Sequence, residues 1–347
     1  MRALLFCHNP YAIGILNPLC QRLKTEGHTV MWYLPVNLTE NFPYKDDSYS
    51  SDMLSLIEYN PEAIFVPGNE VPHYLPGVKV QVFHGFAGEK KGHFRIRHYF
   101  DLYLTQGPYF TRRFRQLAER YGNFSVAETG WCKLDPLFLT SSRFEGSRGK
   151  SDNKRVILYA PTFSPSLTSA RIAFDHIVAL AEKGEYSVVV KFHDLTDPEI
   201  VQHYIRASES VDNLIISTEA NILPVMAGAD ILISDTSSAV YEFLLLNKPV
   251  VTIRSASPHK NWADITDPSL TAESVARQLG SDPFRKERRW FYDNYHPYND
   301  GKSSARMIEA TQAWIEKNGV PLARKLSLSR RWKINSIFGK NPGLPAH

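Results

Sequence analysis

Ala229-Asp230-Ile231-Leu232-Ile233-Ser234-Asp235-Thr236-Ser237-Ser238-Ala239-Val240-Tyr241-Glu242 decides how the rest of the chain is read. Residues 231–233 form a short apolar run suited to a buried strand. Residues 234–238 are a polar turn, and 239–242 begin a helix. Such a turn places backbone N–H groups and hydroxyls at the positive end of a helix, an anion site suited to a nucleotide diphosphate. Ordinary helix capping by Asp, Thr and Ser accounts for the same residues. The residues leave both readings open.

Outward from this stretch, strand and helix signals alternate. In the first half, residues 2–7, 29–34, 63–66, 78–83 and 102–105 read as strands. Residues 17–26, 51–59 and 109–121 read as helices between them. After a polar segment at 141–154 the alternation restarts, with strands at 156–159, 187–192, 214–216, 231–233 and 249–253. Helices at 172–182, 198–208 and 222–227 separate them. This pattern implies parallel sheets covered by helices on both faces. A chain of 347 residues is too long for one ordinary core, so two domains are expected. The division is an N-terminal Rossmann-like domain over 1–140, a linker at 141–154, a C-terminal Rossmann-like domain over 155–317 and a tail over 318–347. Ligands of such sheets sit at the C-terminal ends of the strands, here facing a cleft.

Composition excludes several classes. Hydrophobic residues make up 43% and charged residues 22%, as in a soluble globular protein. Cys7, Cys20 and Cys132 lack metal-ligand spacing and argue for a reducing compartment rather than a disulfide framework. No apolar run reaches the length of a membrane span, and the short apolar start reads as a buried strand rather than a signal peptide. A net charge of +4 does not indicate nucleic acid. No carboxylate cluster asks for a metal, and no cofactor is expected.

Four further motifs bear chemistry. In Gln81-Val82-Phe83-His84-Gly85-Phe86-Ala87-Gly88, a histidine follows a strand directly, at the ligand-facing edge of a parallel sheet. There it can take a proton from an attacking hydroxyl near neutral pH. In Val190-Lys191-Phe192-His193-Asp194, a second strand ends in a histidine, and strand alternation puts Lys191 and His193 on one face, able to neutralise phosphate oxygens. A histidine satisfied by loop carbonyls and a solvated Lys/His pair are the plainer readings. In Leu158-Tyr159-Ala160-Pro161-Thr162-Phe163, Thr162 is placed to cap or to touch phosphate after a strand. In His296-Pro297-Tyr298-Asn299-Asp300-Gly301-Lys302-Ser303-Ser304-Ala305-Arg306, Asp-Gly is a turn and Ser303 or Ser304 suits a cap, while Lys302 is the phosphate candidate.

Taken in order, FHG, YAPTF, KFH, SDTSS and NDGKSSAR resemble the CDP-glycerol glycerophosphotransferase family of teichoic-acid-type synthesis, over roughly residues 60 to 310. The resemblance implies a GT-B fold and attack by an acceptor hydroxyl on the β-phosphorus of a CDP-polyol, with loss of CMP. His84 matches the family's proposed base and His193 its second histidine, which supports the phosphates. Asp235, Thr236, Ser237 and Ser238 match its nucleotide-phosphate turn, and Thr162 and Lys302 match donor-side motifs. Glu242 is expected near the ribose hydroxyls, with a solvated helix glutamate as the alternative. The chain departs from the family in two places. Gly130-Trp131-Cys132-Lys133-Leu134-Asp135 stands where G-x-P-R-x-D is common, so a lysine replaces the bidentate fork of arginine. Phe86-Ala87 stands where Thr-Pro is common.

The expected function is transfer of a polyol phosphate, glycerol phosphate foremost, from a CDP-polyol to a hydroxyl of a cell-surface glycan or lipid-linked acceptor. The shorter length than polymerising members suggests single addition. A GT-B sugar transferase using a UDP- or CMP-sugar, a nucleotide-sugar epimerase-like enzyme and a non-catalytic assembly protein are the competitors. From Asn318 onward there is no Asp or Glu, while Arg324, Lys325, Arg330, Arg331, Lys333 and Lys340 are interleaved with Leu, Ile, Phe and Trp332. That tail suits an anionic membrane surface, which would put the protein in the cytoplasm at the inner face of the membrane; alternatively it is a solvated or crossover tail that packs on the first domain.

Overall fold

The computed structural model describes residues 1–86, 92–144, 154–219, 221–257 and 260–343. The chain forms two compact units, one of Met1–Asp135 with Tyr298–His347, the other of Pro136–Pro297.

The sheet of the first unit contains β1 (Arg2–Phe6), β2 (Thr29–Tyr33), β3 (Tyr49–Ser50), β4 (Ala63–Val66), β5 (Val78–Gln81), β6 (Leu102–Thr105) and β7 (Ser125–Glu128). Their order is β3-β2-β1-β4-β5-β6-β7, with every pairing parallel. The central strands β4, β5 and β6 are buried at every position, as a parallel sheet covered on both faces requires. The chain reverses its direction of strand addition between β1 and β4. That switch opens a crevice at the strand C-terminal ends.

The second unit repeats the plan with β8 (Arg155–Tyr159), β9 (Tyr186–Val190), β10 (Leu214–Ile216), β11 (Ile231–Ser234), β12 (Val250–Ile253) and β13 (Ala263–Ile265). Their order is β10-β9-β8-β11-β12-β13, again wholly parallel, with the switch between β8 and β11. Ile157, Tyr159, Val188, Val190, Ile231 and Ile233 supply its core.

Several boundaries differ from expectation. The first helix runs Tyr11–Thr25 rather than 17–26, with Pro18 inside it. Pro18 has no N–H to give the carbonyl of Gly14 one turn back, and the buried Ile15, Leu16 and Leu19 carry the helix through. Strand β5 stops at Gln81 because Phe83 takes a left-handed backbone, φ +62°. Of the expected linker, 141–144 belong to the helix Asp135–Phe144, and 145–153 lie outside the described residues.

The expected domain end at 317 is corrected. Helix Ser303–Asn318 belongs to the first unit, where Met307, Ile308 and Thr311 are buried. The tail also packs there. Arg324 donates to the His98 carbonyl (2.6 Å) and the Asn123 carbonyl (2.8 Å), and pairs with Asp101. Helix Leu328–Phe338 buries Ile334, and Phe338 stands edge-on to Phe6 with ring centroids 5.4 Å apart. The crossover reading of the tail is the one the structure takes. Leu322, Leu328 and Trp332 remain more than 70% exposed, at 84%, 83% and 75%. Among the described residues no helix is long and apolar enough to cross a membrane.

Candidate functional site

In the first unit the chain leaves β5 through Val82, makes its left-handed turn at Phe83 and presents His84 to solvent. A bulky residue rarely adopts this backbone. Here the Phe83 ring is buried and stacks on His93 at 5.5 Å, with Phe114 at 5.1 Å, and that packing holds the turn. Burial, with the nearby His84 adding to it, pushes His93 down to about 4, so it is a neutral wall rather than a second base.

His84 is oriented by the β4 exit. Its Nδ1 lies 2.9 Å from the Pro67 carbonyl. A carbonyl only accepts, so Nδ1 carries the proton and the neutral ring keeps its lone pair on Nε2. The Tyr11 ring packs beside it, centroids 5.4 Å apart. Buried Gln81 reaches under the same loop, its Nε2 donating to the carbonyls of Val66, Pro67 and Gly68 at 3.2, 3.1 and 2.9 Å. The HG step is held from the other side by Gln106, which donates to the Gly85 carbonyl at 3.1 Å. Ala87 and Gly88 of this motif lie outside the described residues.

In the second unit three motifs meet at the exits of β8, β9 and β11. Asp235 joins two of them. One carboxylate oxygen accepts from the Thr162 amide at 2.9 Å, the other from the Ser169 amide and hydroxyl at 2.8 and 2.9 Å. Ser234 adds a bond from its hydroxyl to the Ala160 carbonyl at 2.6 Å. The third motif is tied in where the Phe163 ring stacks against His193, centroids 4.4 Å apart. The Leu195 amide donates to His193 Nδ1 at 3.1 Å. That nitrogen is therefore unprotonated in the neutral ring, and Nε2 carries the hydrogen. His84 and His193 thus present opposite faces of imidazole chemistry, a lone pair in one and an N–H donor in the other.

The remaining sequence-predicted residues fall as follows. Asp235 is fully buried, and burial raises its carboxyl above the usual range against the bonds from Ser169 and Thr162. Both its oxygens are taken up by Thr162 and Ser169, so it ties the loop. Thr236 accepts from the Ala256 amide at 2.9 Å, and Ser237 caps the seven-residue helix Ser238–Leu244 through the Ala239 amide at 3.2 Å. Ser238 is exposed at that helix start. Glu242 is 4% exposed, so the solvated-glutamate alternative does not hold. Lys191 is half-buried and folds back so that Nζ donates to the Phe192 carbonyl at 2.6 Å. Lys302 is exposed and belongs to the first unit, just before helix Ser303–Asn318.

The helix beside Lys302 is capped by neither serine. The Ser303 and Ser304 amides donate to the two oxygens of buried Asp135 at 2.8 and 2.7 Å. A carboxylate already occupies the positive end of that helix. Asp135 closes the segment that departs from G-x-P-R-x-D, and its Lys133 lies 5.3 Å over the Trp131 ring. Sequence reasoning missed Gln81, Ser169 and Asp135 as positioning groups; Gln81 and Asp135 were visible as motif positions, while Ser169 carried no local signal. Among the described residues no three His, Cys, Asp or Glu side chains gather as a metal site.

Residues 80–255 match the family described as CDP-glycerol:poly(glycerophosphate) glycerophosphotransferase, a stretch that contains His84, Thr162, Lys191, His193 and the turn after β11. A teichoic acid glycerol-phosphate primase of Bacillus subtilis is 26% identical over 187 residues, 50% of this chain and 48% of that protein. The chain therefore matches about half the length of that relative. Among solved structures, the wall teichoic acid polymerase TagF superposes with a TM-score of 0.63 at 16% identity, covering 91% of this chain and 89% of that one. A UDP-N-acetylglucosamine 2-epimerase, assigned as putative, from Listeria monocytogenes gives 0.65 at 12% identity, covering 94% and 99%. Both likenesses speak to the fold, which is GT-B.

Proposed function

The chain belongs to the CDP-glycerol:poly(glycerophosphate) glycerophosphotransferase family, and from that premise we propose that it transfers a polyol phosphate from a CDP-polyol to an acceptor hydroxyl. The observation that carries this reading is the fixed tautomer of His84, whose Nδ1–H is held by the Pro67 carbonyl. Nε2 then accepts the proton of the acceptor hydroxyl as its oxygen attacks the β-phosphorus. The new P–O bond forms while the bond from that phosphorus to the CMP oxygen breaks, and CMP leaves with the electron pair. His193 donates from Nε2–H and Lys191 from its ammonium to phosphate oxygens, where negative charge develops. Ser238, Thr162 and Thr236, at the exits of β11 and β8, are the residues proposed to hold the nucleotide diphosphate at the switch point. Glycerol is the foremost polyol and a glycan or lipid-linked hydroxyl the foremost acceptor. The tail packs on the first unit, and only its exposed Leu322, Leu328 and Trp332 are proposed to meet an anionic membrane surface.

The test is CMP release from CDP-glycerol by the full chain, followed chromatographically with wild type and His84→Ala. General-base removal is expected to cost about 10²–10⁴ in kcat while CDP-glycerol still raises the melting temperature of the variant. Inversion of UDP-N-acetylglucosamine at its second carbon, or wild-type CMP release by His84→Ala, would overturn the reading.

A further inference from the structure

A cavity of about 390 Å³ opens in the first unit between residues 95–99, the loop after β4 and the helix Leu328–Phe338. That volume lies near the small end of ligand pockets, roughly 300–1,000 Å³. Its wall carries Arg95, Arg97, Arg330 and Lys333 against a single carboxylate, Glu70. Lys333 Nζ donates to Glu70 at 3.0 Å, and Arg97 donates to the Asn69 side chain at 3.2 Å. The guanidinium groups of Arg95 and Arg330 have no hydrogen-bonded or ion-paired partner among the described residues. Like charges gathered around one hollow repel each other until an anion enters it.

The geometry favours phosphate over carboxylate. One arginine fork saturates both oxygens of a carboxylate, whereas a phosphate offers further oxygens to further forks. The position is equally telling. Asn69 and Glu70 lie on the β4-exit loop whose Pro67 carbonyl orients His84. Glu70 lies three residue steps after Pro67, at most about 11 Å of chain. The charge of Glu70 is also felt by Tyr11, whose ring packs on His84.

We propose that this cavity binds a phosphate group carried by the acceptor, holding a phosphorylated polyol with its free hydroxyl within reach of His84. The assignment to an acceptor rests on the reading of His84 as the base.

Titration calorimetry of the full chain with sn-glycerol 3-phosphate, with inorganic phosphate as competitor, tests the site. Binding is expected, weakened roughly tenfold or more in Arg95→Ala/Arg330→Ala. Glu70→Gln is expected to tighten it, a gain that a poorly folded variant does not produce. No binding of glycerol 3-phosphate, or equal binding by wild type and the double variant, would overturn the proposal. Co-sedimentation with phosphatidylglycerol vesicles separates the other source of phosphate. Vesicle binding lost in the double variant, with no response to soluble phosphates, assigns the cavity to a lipid headgroup and overturns it. The reading of His84 fails separately, as absent CMP release with glycerol 3-phosphate binding intact, and this outcome overturns the assignment to an acceptor.

Discussion

Ser169 gives both its amide and its hydroxyl to one oxygen of Asp235, at 2.8 and 2.9 Å. The other oxygen takes the Thr162 amide, so one buried carboxylate joins the exits of β8 and β11. An amide in its place turns one acceptor into a donor facing donors. Asp235→Asn is expected to lower stability by about 1–3 kcal/mol. Ser169→Ala keeps the amide bond and is expected to cost less, about 1 kcal/mol. Urea unfolding measures both; equal stability of Asp235→Asn and wild type would contradict the tie.

Gln81 never meets a substrate in this scheme, yet it is expected to govern turnover. Its side-chain amide supports three successive carbonyls, including the Pro67 carbonyl that orients His84. Gln81→Leu frees that loop, and a misplaced base costs about tenfold to a hundredfold in kcat. The KM for CDP-glycerol is expected to stay put, and the pH limb assigned to His84 to move. A fall in active fraction alone would leave that limb in place, so the pH profile distinguishes positioning from simple instability.

The two sheets and three of the strand-exit motifs were legible in the sequence for one reason. Strands buried on both faces, such as Ile231-Leu232-Ile233, read as unbroken apolar runs, and the residues after them must face the crevice. The same logic fails at the edges. The two-residue β3 and the half-buried β13 carry too little apolar pattern to be seen. The return of Ser303–Asn318 to the first unit was hidden because an amphipathic helix does not name the surface it covers. Asp135 shows the limit for the site: its partners are the Ser303 and Ser304 amides, far along the chain, and no local rule joins them. Asp235 reads like its neighbours in the turn, and only the tertiary structure shows that it is buried.

Asp300 makes a pH prediction. Its two oxygens accept from both terminal nitrogens of Arg306 at 2.9 and 3.0 Å, and these bonds hold its carboxyl down to about 2 from 3.8. A folded value below the unfolded one means the pair stabilises above pH 3.8, and that its contribution fades as pH falls through the window toward 2. Asp300 is 44% exposed, so screening keeps the contribution small, about 1 kcal/mol or less. Asp300→Asn is expected to be less stable than wild type at pH 6, with the gap closing toward pH 2.5. A gap that stays constant across that range would assign the effect to something other than ionisation.

The opposite tautomers of the two histidines give the sharpest test of their roles. The Pro67 carbonyl fixes the hydrogen of His84 on Nδ1, and the Leu195 amide drives that of His193 to Nε2. Nitrogen-15 spectra at a pH where both rings are neutral, assigned with His84→Gln and His193→Gln, should show one ring of each kind. The same two variants separate the chemistry. Glutamine places an N–H donor near the former Nε2 position but offers no base there, since an amide nitrogen has no available lone pair. His193→Gln is therefore expected to keep much of the transfer rate, with a loss of about tenfold for one charge-stabilising donor out of place. His84→Gln is expected to lose about 10²–10⁴, the size of a general-base contribution. Equal losses in the two variants, or a His84 ring protonated on Nε2, would remove the lone pair from the place where the acceptor hydroxyl needs it and with it the division of labour between the two strand exits.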